Sequence, residues 1–592
     1  MASHKVSSRS RQKKRRRRRR KRAGCLCITA LAVIILTAAV IIVIKKMPSL
    51  QHADLEEYYG LTDAADDEIA IVLRDLPLSG DEDDEDRDRL GSVILEEKAF
   101  IMDGEVYVPL SVIKDYIDER FHYDDTDGCI VVTNAQEMML AYADETAYTV
   151  NGGESIDAGY VIFTVRDGTA YVAMDFADEF SSAYYSTYED PGRVVIDYIS
   201  DDNTYCEVVS DTKLRKYGGK KSEIIAKISE GSVLQVKRTL SGWYEVISED
   251  GYVGCVKAED VGQIYTLDEE SDYDEPEYTS LSLDEEIKLG WFAAYNTQAN
   301  SNFYSYTYGA DINVVSPTWY TLSSADGDIE MLTDLTVVNL AHSKGYQVWV
   351  MFSDGDYEYV SAVLSSTSKR QQVIEAVIAD VKANSIDGIN IDFERITSDI
   401  GDDFIEFIRE LSIRCRQEEI YLSVDNYTPY SSIGCYHVSE QSVLCDYVIV
   451  MAYDDYVGTG QQGPNCSLPF LEESVSISLE QIASEKLIIA LPFYSRFWIE
   501  DADGNLTSET YNMGTAKQKI SEAGAELVWD EELGMYTAVY TDSDGNTVYA
   551  YLEDAESINA KLSLLSEYSL AGTAFWRLNQ ELSSVWNVVE NY

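Results

Sequence analysis

The stretch Asp387-Gly388-Ile389-Asn390-Ile391-Asp392-Phe393-Glu394 decides how the chain is read. Side chains alternate between the faces of a β-strand, so Gly388, Asn390, Asp392 and Glu394 share one face. Ile389, Ile391 and Phe393 share the other and ask for apolar packing. Buried carboxylates cost several kcal/mol unless they are paired or hydrogen-bonded, so two of them spaced two apart need a reason. One reason is paired acid/base chemistry, with Asp392 hydrogen-bonding Glu394 and holding its pKa high enough to donate a proton. The eight residues leave two others open, a solvated strand end and an acidic metal site.

Working outward, apolar strand-like runs occur at Leu289–Phe292, Ile312–Ser316, Gln347–Phe352, Gly388–Glu394, Ile420–Val424, Tyr447–Ala452, Leu487–Leu491 and Gly572–Trp576. Helical stretches separate most of them; one is Gln372–Ala383, with Val373, Ile374, Val377, Ile378 and Val381 on one face. Strands alternating with helices in this way predict a (β/α)8 TIM barrel over 284–592, with the quoted stretch as fourth strand. The run Tyr540-Thr-Asp-Ser-Asp-Gly-Asn-Thr-Val548 reads as a hairpin with an Asp-Gly turn.

The quoted stretch resembles the Asp-x-x-Asp-x-Asp-x-Glu signature of glycoside hydrolase family 18, with Asn390 where chitinases carry the second Asp. The Asn-Ile-Asp-Phe-Glu form is similar to the spore-cortex-lytic branch of N-acetylglucosaminidases. The resemblance covers about the last half of the chain and implies the site residues. Glu394 would be the catalytic acid and base, and Asp392 its catalytic partner. Met451-Ala452-Tyr453-Asp454 is similar to the family's Met-x-Tyr-Asp, whose Tyr and Asp hold a substrate N-acetyl group, and Trp576 stands where the family has a floor beneath the sugar. Asn390, Met451, Tyr453, Asp454 and Trp576 are thus the substrate-binding set. The implied reaction is substrate-assisted hydrolysis of a GlcNAc-containing glycan, peptidoglycan before chitin or other glycans, with no metal or organic cofactor. A barrel that only binds cell wall is the non-enzymatic alternative, and the intact Glu394 argues against it. The third strand ends Met351-Phe352-Ser353-Asp354, without the chitinase Ser-x-Gly-Gly.

The formal charge of −57 is unevenly spread. Residues 1–46 hold 15 Lys/Arg and no acid, leaving 47 − 15 = 32 basic against 104 acidic residues, or −72, beyond them. Such a body repels nucleic acid, which excludes DNA or RNA partners. Five histidines, at 4, 52, 122, 342 and 437, have no ligand spacing suited to zinc hydrolysis. Nine cysteines include no C-x-x-C; Cys206 and Cys255 flank one small domain, and no disulfide is assigned from the sequence.

Residues 1–23 form a basic tail, and 24–44 an uncharged run long enough for a transmembrane helix. With basic residues before it, the run predicts a single-pass cell-membrane protein, N-terminus cytoplasmic and catalytic domain extracellular. Residues 45–90 read as an acidic spacer ending in Asp81–Asp86. Over 91–201, Tyr107-Val108 recurs as Tyr171-Val172 and Ile130-Val131-Val132 as Val194-Val195-Ile196, both 64 residues on, which predicts two copies of a small α+β unit. Its Tyr-Val-Pro-Leu, helix, Phe121-His122-Tyr123-Asp124 pattern resembles the copper amine oxidase N-terminal module, without copper ligands. Residues 203–263 hold short strands about ten residues apart, with Ser241-Gly242-Trp243-Tyr244-Glu245-Val246 and Gly251-Tyr252-Val253-Gly254 resembling bacterial SH3-type domains, which implies cell-wall stem peptides as partners. Residues 264–283 read as an acidic linker.

Overall fold

The computed structural model describes residues 31–41, 45–74, 93–198, 203–266, 273, 276–457 and 460–592. They divide into two compact units, one of residues up to 112 with 173–273, the other of 113–172 with 274–592.

The membrane anchor expected over 24–44 is corrected. Among the described residues no helix is long and apolar enough to cross a membrane. The described part of that run, 31–41, is helical. Residues 24–30 and 42–44 lie outside the described residues, as do the basic tail and Asp81–Asp86. The single-pass localisation and the membrane partner fall with the anchor.

The first unit also revises the spacer. Glu68–Leu73 is a strand, pairing in parallel with Arg193–Tyr198 and antiparallel with Ile94–Met102. Its apolar run Ile69-Ala-Ile-Val-Leu73 is buried throughout, and that drives it into a sheet despite the acids around it. Residues 204–266 form a seven-stranded sheet in which Trp243 is buried and Cys206 and Cys255 are both free thiols. Across both units the 64-residue offset carries structure: strands Glu105–Pro109 and Cys129–Thr133 match Thr169–Ala173 and Arg193–Tyr198, with helices Leu110–Tyr116 and Met174–Glu179 at corresponding places.

In the second unit eight parallel strands close a barrel: β1 Ile287–Phe292, β2 Val314–Pro317, β3 Gln347–Ser353, β4 Gly388–Asp392, β5 Tyr421–Tyr427, β6 Tyr447–Met451, β7 Leu487–Pro492 and β8 Gly572–Trp576. Each pairs with the next, and β8 closes on β1. Alternation sorts the side chains. Ile389, Ile391 and Phe393 face the helices, whereas Leu289, Trp349, Met351, Ile449 and Ala490 fill the barrel interior. Trp349 lies stacked between Tyr421 and Tyr447, each ring 5.4 Å away, and leaves no room beside it: a Cβ on Gly388 would meet its ring at 2.6 Å. That explains the glycine at the start of β4.

Helix α1, Thr367–Asn384, precedes β4, and α2, Gly401–Glu418, follows it. Both end on a residue with left-handed backbone, Ser385 (φ 54°) and Glu419 (φ 56°), which turns the chain back into the next strand. Residues 121–157 form a five-stranded antiparallel meander against these helices, with Cys129, Val131 and Met138 clustered on Ile413. Between β7 and β8 a second five-stranded sheet with two helices is inserted, including the expected hairpin, where Thr541 pairs with Thr547.

Candidate active site

At the carboxyl ends of the strands lies a cavity of about 140 Å³. Asp392 and Glu394 line it from β4 and the residues just beyond, Asp425 from β5, Met451, Tyr453 and Asp454 from the end of β6, and Trp291 and Trp576 from β1 and β8. Six of the seven expected site residues thus come together around one small space: Asp392, Glu394, Met451, Tyr453, Asp454 and Trp576.

The two acids of β4 differ in setting. Asp392 is 8% exposed, and its Oδ1 has no hydrogen-bond partner. Burial, and after it the nearby Asp425 and Glu394 carboxylates, push its carboxyl well above the usual range. Glu394 lies past the last hydrogen-bonded residue of the strand and is exposed, its Oε2 accepting a hydrogen bond from the Tyr427 hydroxyl at 2.9 Å. The hydrogen bond expected between Asp392 and Glu394 is therefore not formed; Tyr427 takes that place on Glu394.

Asn390 is fully buried and stands apart from the cavity lining, so the sugar contact expected of it is corrected. Its Oδ1 accepts from Trp291 Nε1 (2.9 Å) and Ser316 Oγ (3.0 Å), while its Nδ2 donates to Asp425 Oδ1 at 2.7 Å. It spends its hydrogen bonds inside the barrel. Asp454 sits on a left-handed turn (φ 62°), a conformation Asp tolerates better than most residues. Its Oδ1 accepts from Tyr494 OH and from Arg496 Nη2, both at 2.6 Å. Trp576 packs its ring edge-on to Trp291, centroids 5.6 Å apart. Asp354, at the end of β3, accepts from the Arg395 backbone N–H (2.6 Å) and guanidinium (2.8 Å) and so pins the chain just past Glu394.

Asp425, Tyr427, Tyr494 and Trp291 were not singled out by the sequence reading. The signal for the first two was present: Ser423-x-Asp425-x-Tyr427 repeats the polar alternation of β4, but the apolar run that marks β5 stops at Val424. Tyr494 comes from the insertion after β7, where no periodic pattern points at a site. Among the described residues no three His, Cys, Asp or Glu side chains are grouped to hold a metal ion.

The second unit is thus a (β/α)8 barrel with carboxylates gathered in a cleft at its strand ends, the face on which barrel enzymes carry their sites. Residues 288–581 match the model of glycosyl hydrolases family 18, and residues 91–196 that of the copper amine oxidase N-terminal domain. The protein is a glycoside hydrolase whose C-terminal half is a family 18 domain, related to spore cortex-lytic enzymes and chitinases. The uncharacterized glycosylase YvbX of Bacillus subtilis is 23% identical over 322 residues, 51% of this chain and 90% of that protein. The cortical fragment-lytic enzyme of Bacillus subtilis is 21% identical over 243 residues, 40% of this chain and 56% of that protein, so the chain spans about half the length of that relative. Among solved structures, the Bacillus cereus spore cortex-lytic enzyme SleL aligns with a TM-score of 0.48 at 16% identity, covering 62% of this chain and 90% of SleL.

Proposed function

We propose that this protein cleaves N-acetylglucosamine-containing cell-wall glycan, peptidoglycan, by a substrate-assisted retaining mechanism. Glu394 protonates the glycosidic oxygen as that bond breaks, and the substrate's own acetamido oxygen attacks C1 to give an oxazolinium ion. Glu394 then takes a proton from the water that opens the ring. Asp392 orients the acetamido N–H and opposes the positive charge that develops there. Tyr453 and Asp454 hold the acetamido group, Met451 flanks it, and Trp576 supports the sugar face. Asn390 acts from below, through Asp425.

The observation that carries this reading is the unpartnered Oδ1 of Asp392, buried in the same small cavity as the exposed Glu394. Buried polar atoms are nearly always satisfied, so an acceptor left open at a cavity wall fits a donor that arrives with the substrate. An acetamido N–H is such a donor. A carboxylate so enclosed is poorly placed to attack C1 itself, as the two-carboxylate retaining scheme requires. Peptidoglycan is favoured by the relatives named for cortex lysis and by the missing Ser-x-Gly-Gly at the end of β3. In the same reading residues 203–263 are an SH3-like module that touches stem peptides.

The test is digestion of purified peptidoglycan, chitin oligomers and N-glycans, with products read by mass spectrometry. New reducing ends at GlcNAc in the muropeptides support the proposal. Cleavage of chitin oligomers or N-glycans alone would reassign the substrate. Glu394→Gln cannot exchange a proton, so turnover falls about 10²–10⁴-fold; near-normal turnover would remove the mechanism.

A further inference from the structure

On β4 Asn390 occupies the inward position below Asp392, where the family signature has an Asp. A second carboxylate is nevertheless present on the next strand. In the β4–β5 register Asn390 pairs with Ser423 and Ile391 with Val424, which brings Asp392 beside Asp425. Neighbouring strands lie about 4.8 Å apart, and both residues face inward, so the two carboxyl groups border the same cavity. Asn390 is committed to Asp425 by its other bonds: Trp291 and Ser316 both donate to its oxygen, which fixes the amide and leaves its N–H₂ for Asp425 Oδ1. Asp425 itself is 3% exposed.

Resting on the substrate-assisted reading above, we propose that Asp425 on β5 replaces the carboxylate missing from β4 as the proton partner of Asp392. The pair shares one proton. In the free enzyme it resides on Asp392; as positive charge builds on the oxazolinium, the proton moves to Asp425 and Asp392 becomes the anion that faces the charge. On hydrolysis of the oxazolinium the proton returns, so the cycle leaves no net change. Burial keeps Asp425 well above the usual carboxylate range, with the Asn390 N–H opposing that rise and Glu394 adding to it. Asp425 touches no reacting atom in this scheme; it is a positioning residue that acts through Asp392.

Asp425→Asn is nearly isosteric, and its amide oxygen can still accept from Asn390. The variant should keep its fold while kcat falls about 10- to 100-fold, at the lower end of what proton-transfer help provides, with KM little changed. The acidic limb of the kcat profile should move to lower pH, because a like charge beside Asp392 is gone. The decisive variant exchanges the two residues. Asn390→Asp with Asp425→Asn returns the carboxylate to β4 and should recover most of the lost kcat, which a merely structural role for Asp425 would not predict. Wild-type kcat and pH profile in Asp425→Asn, or an exchange variant no faster than the single one, would overturn the proposal. Glu394→Gln, run alongside on the same soluble GlcNAc substrate, separates the two failures. If it stays active, the reading of the whole site is lost; if it is dead while Asp425→Asn is normal, only the relay is lost.

Discussion

Asp392 sets the conflict between stability and chemistry at this site. A carboxyl group whose pKa is raised by folding binds its proton more tightly in the folded than in the unfolded chain. Its contribution is then fully present below the unfolded value, about 3.9, and is lost as pH rises through the folded one. The shift at Asp392 is upward, caused first by burial and then by Asp425 and Glu394, so the site destabilises the fold at neutral pH and not at pH 4. Asp392→Asn removes the titrating group without changing shape. It should stabilise the protein at pH 8, where folding has to hold the carboxyl against its tendency to ionise, by on the order of 1 kcal/mol or more, and hardly at all at pH 4. Urea denaturation at the two pH values checks this, and an equal gain at both would count against it. The same substitution should slow turnover and weaken binding of a thiazoline analogue of the oxazolinium, since the anion that faces it is gone.

At the level of elements, α1 is tied to the meander. Beside its own N-cap Ser366, Asp124 and Asp127 supply acceptors at its N-terminus: Asp124 Oδ2 takes the Thr367 N–H at 2.5 Å, and Asp127 Oδ2 takes the Ser368 N–H at 2.7 Å. Asp124 Oδ1 also accepts from the backbone of Thr126 and Asp127, so one buried carboxylate satisfies three donors. Asp124→Ala should cost about 2 kcal/mol, the upper end for loss of a cap. Chemical denaturation measures it; a loss below a few tenths of a kcal/mol would mean that water replaces the cap. None of this was legible in the sequence, where Phe121-His122-Tyr123-Asp124 enters only as part of the pattern that resembles the copper amine oxidase N-terminal module. The barrel strands were legible, because each is an apolar run with alternation on both sides. The site was legible where a strand carries its own polar alternation past its apolar run, as in Asp392-Phe393-Glu394. At Asp425 and Tyr427 the same alternation was present but lay beyond the apolar run, which stops at Val424, whereas Tyr494 comes from an insertion with no periodic signal. The strand at 68–73 was missed for the opposite reason, since acidic neighbours hid a fully buried apolar core.

At the scale of the molecule, the barrel and the meander of residues 121–157 share one compact unit, although about 120 residues of chain lie between them. The meander covers the faces of α1 and α2. Met138 and Val131 pack on Ile413, Arg416 Nε donates to the Ala135 carbonyl at 2.8 Å, and Gln371 donates to both Glu410 and Met138. Beneath lies the Arg370–Glu410 ion pair, both side chains fully buried, with a contact of 2.9 Å. A fragment of residues 274–592 keeps every side chain that lines the cavity but loses this cover. It would wet the apolar cluster, strip α1 of its two meander acceptors and open the ion pair to water. The lost cap and apolar burial together amount to about 3–5 kcal/mol. The fragment should therefore unfold at markedly lower urea concentration than the full chain, while its kcat on a small soluble GlcNAc substrate, measured well below its melting temperature, stays the same. Matching denaturation midpoints would show that the meander only rests on the barrel. A fall in kcat with the fold intact would show instead that the cover shapes the cavity through α1, β4 and Asp392.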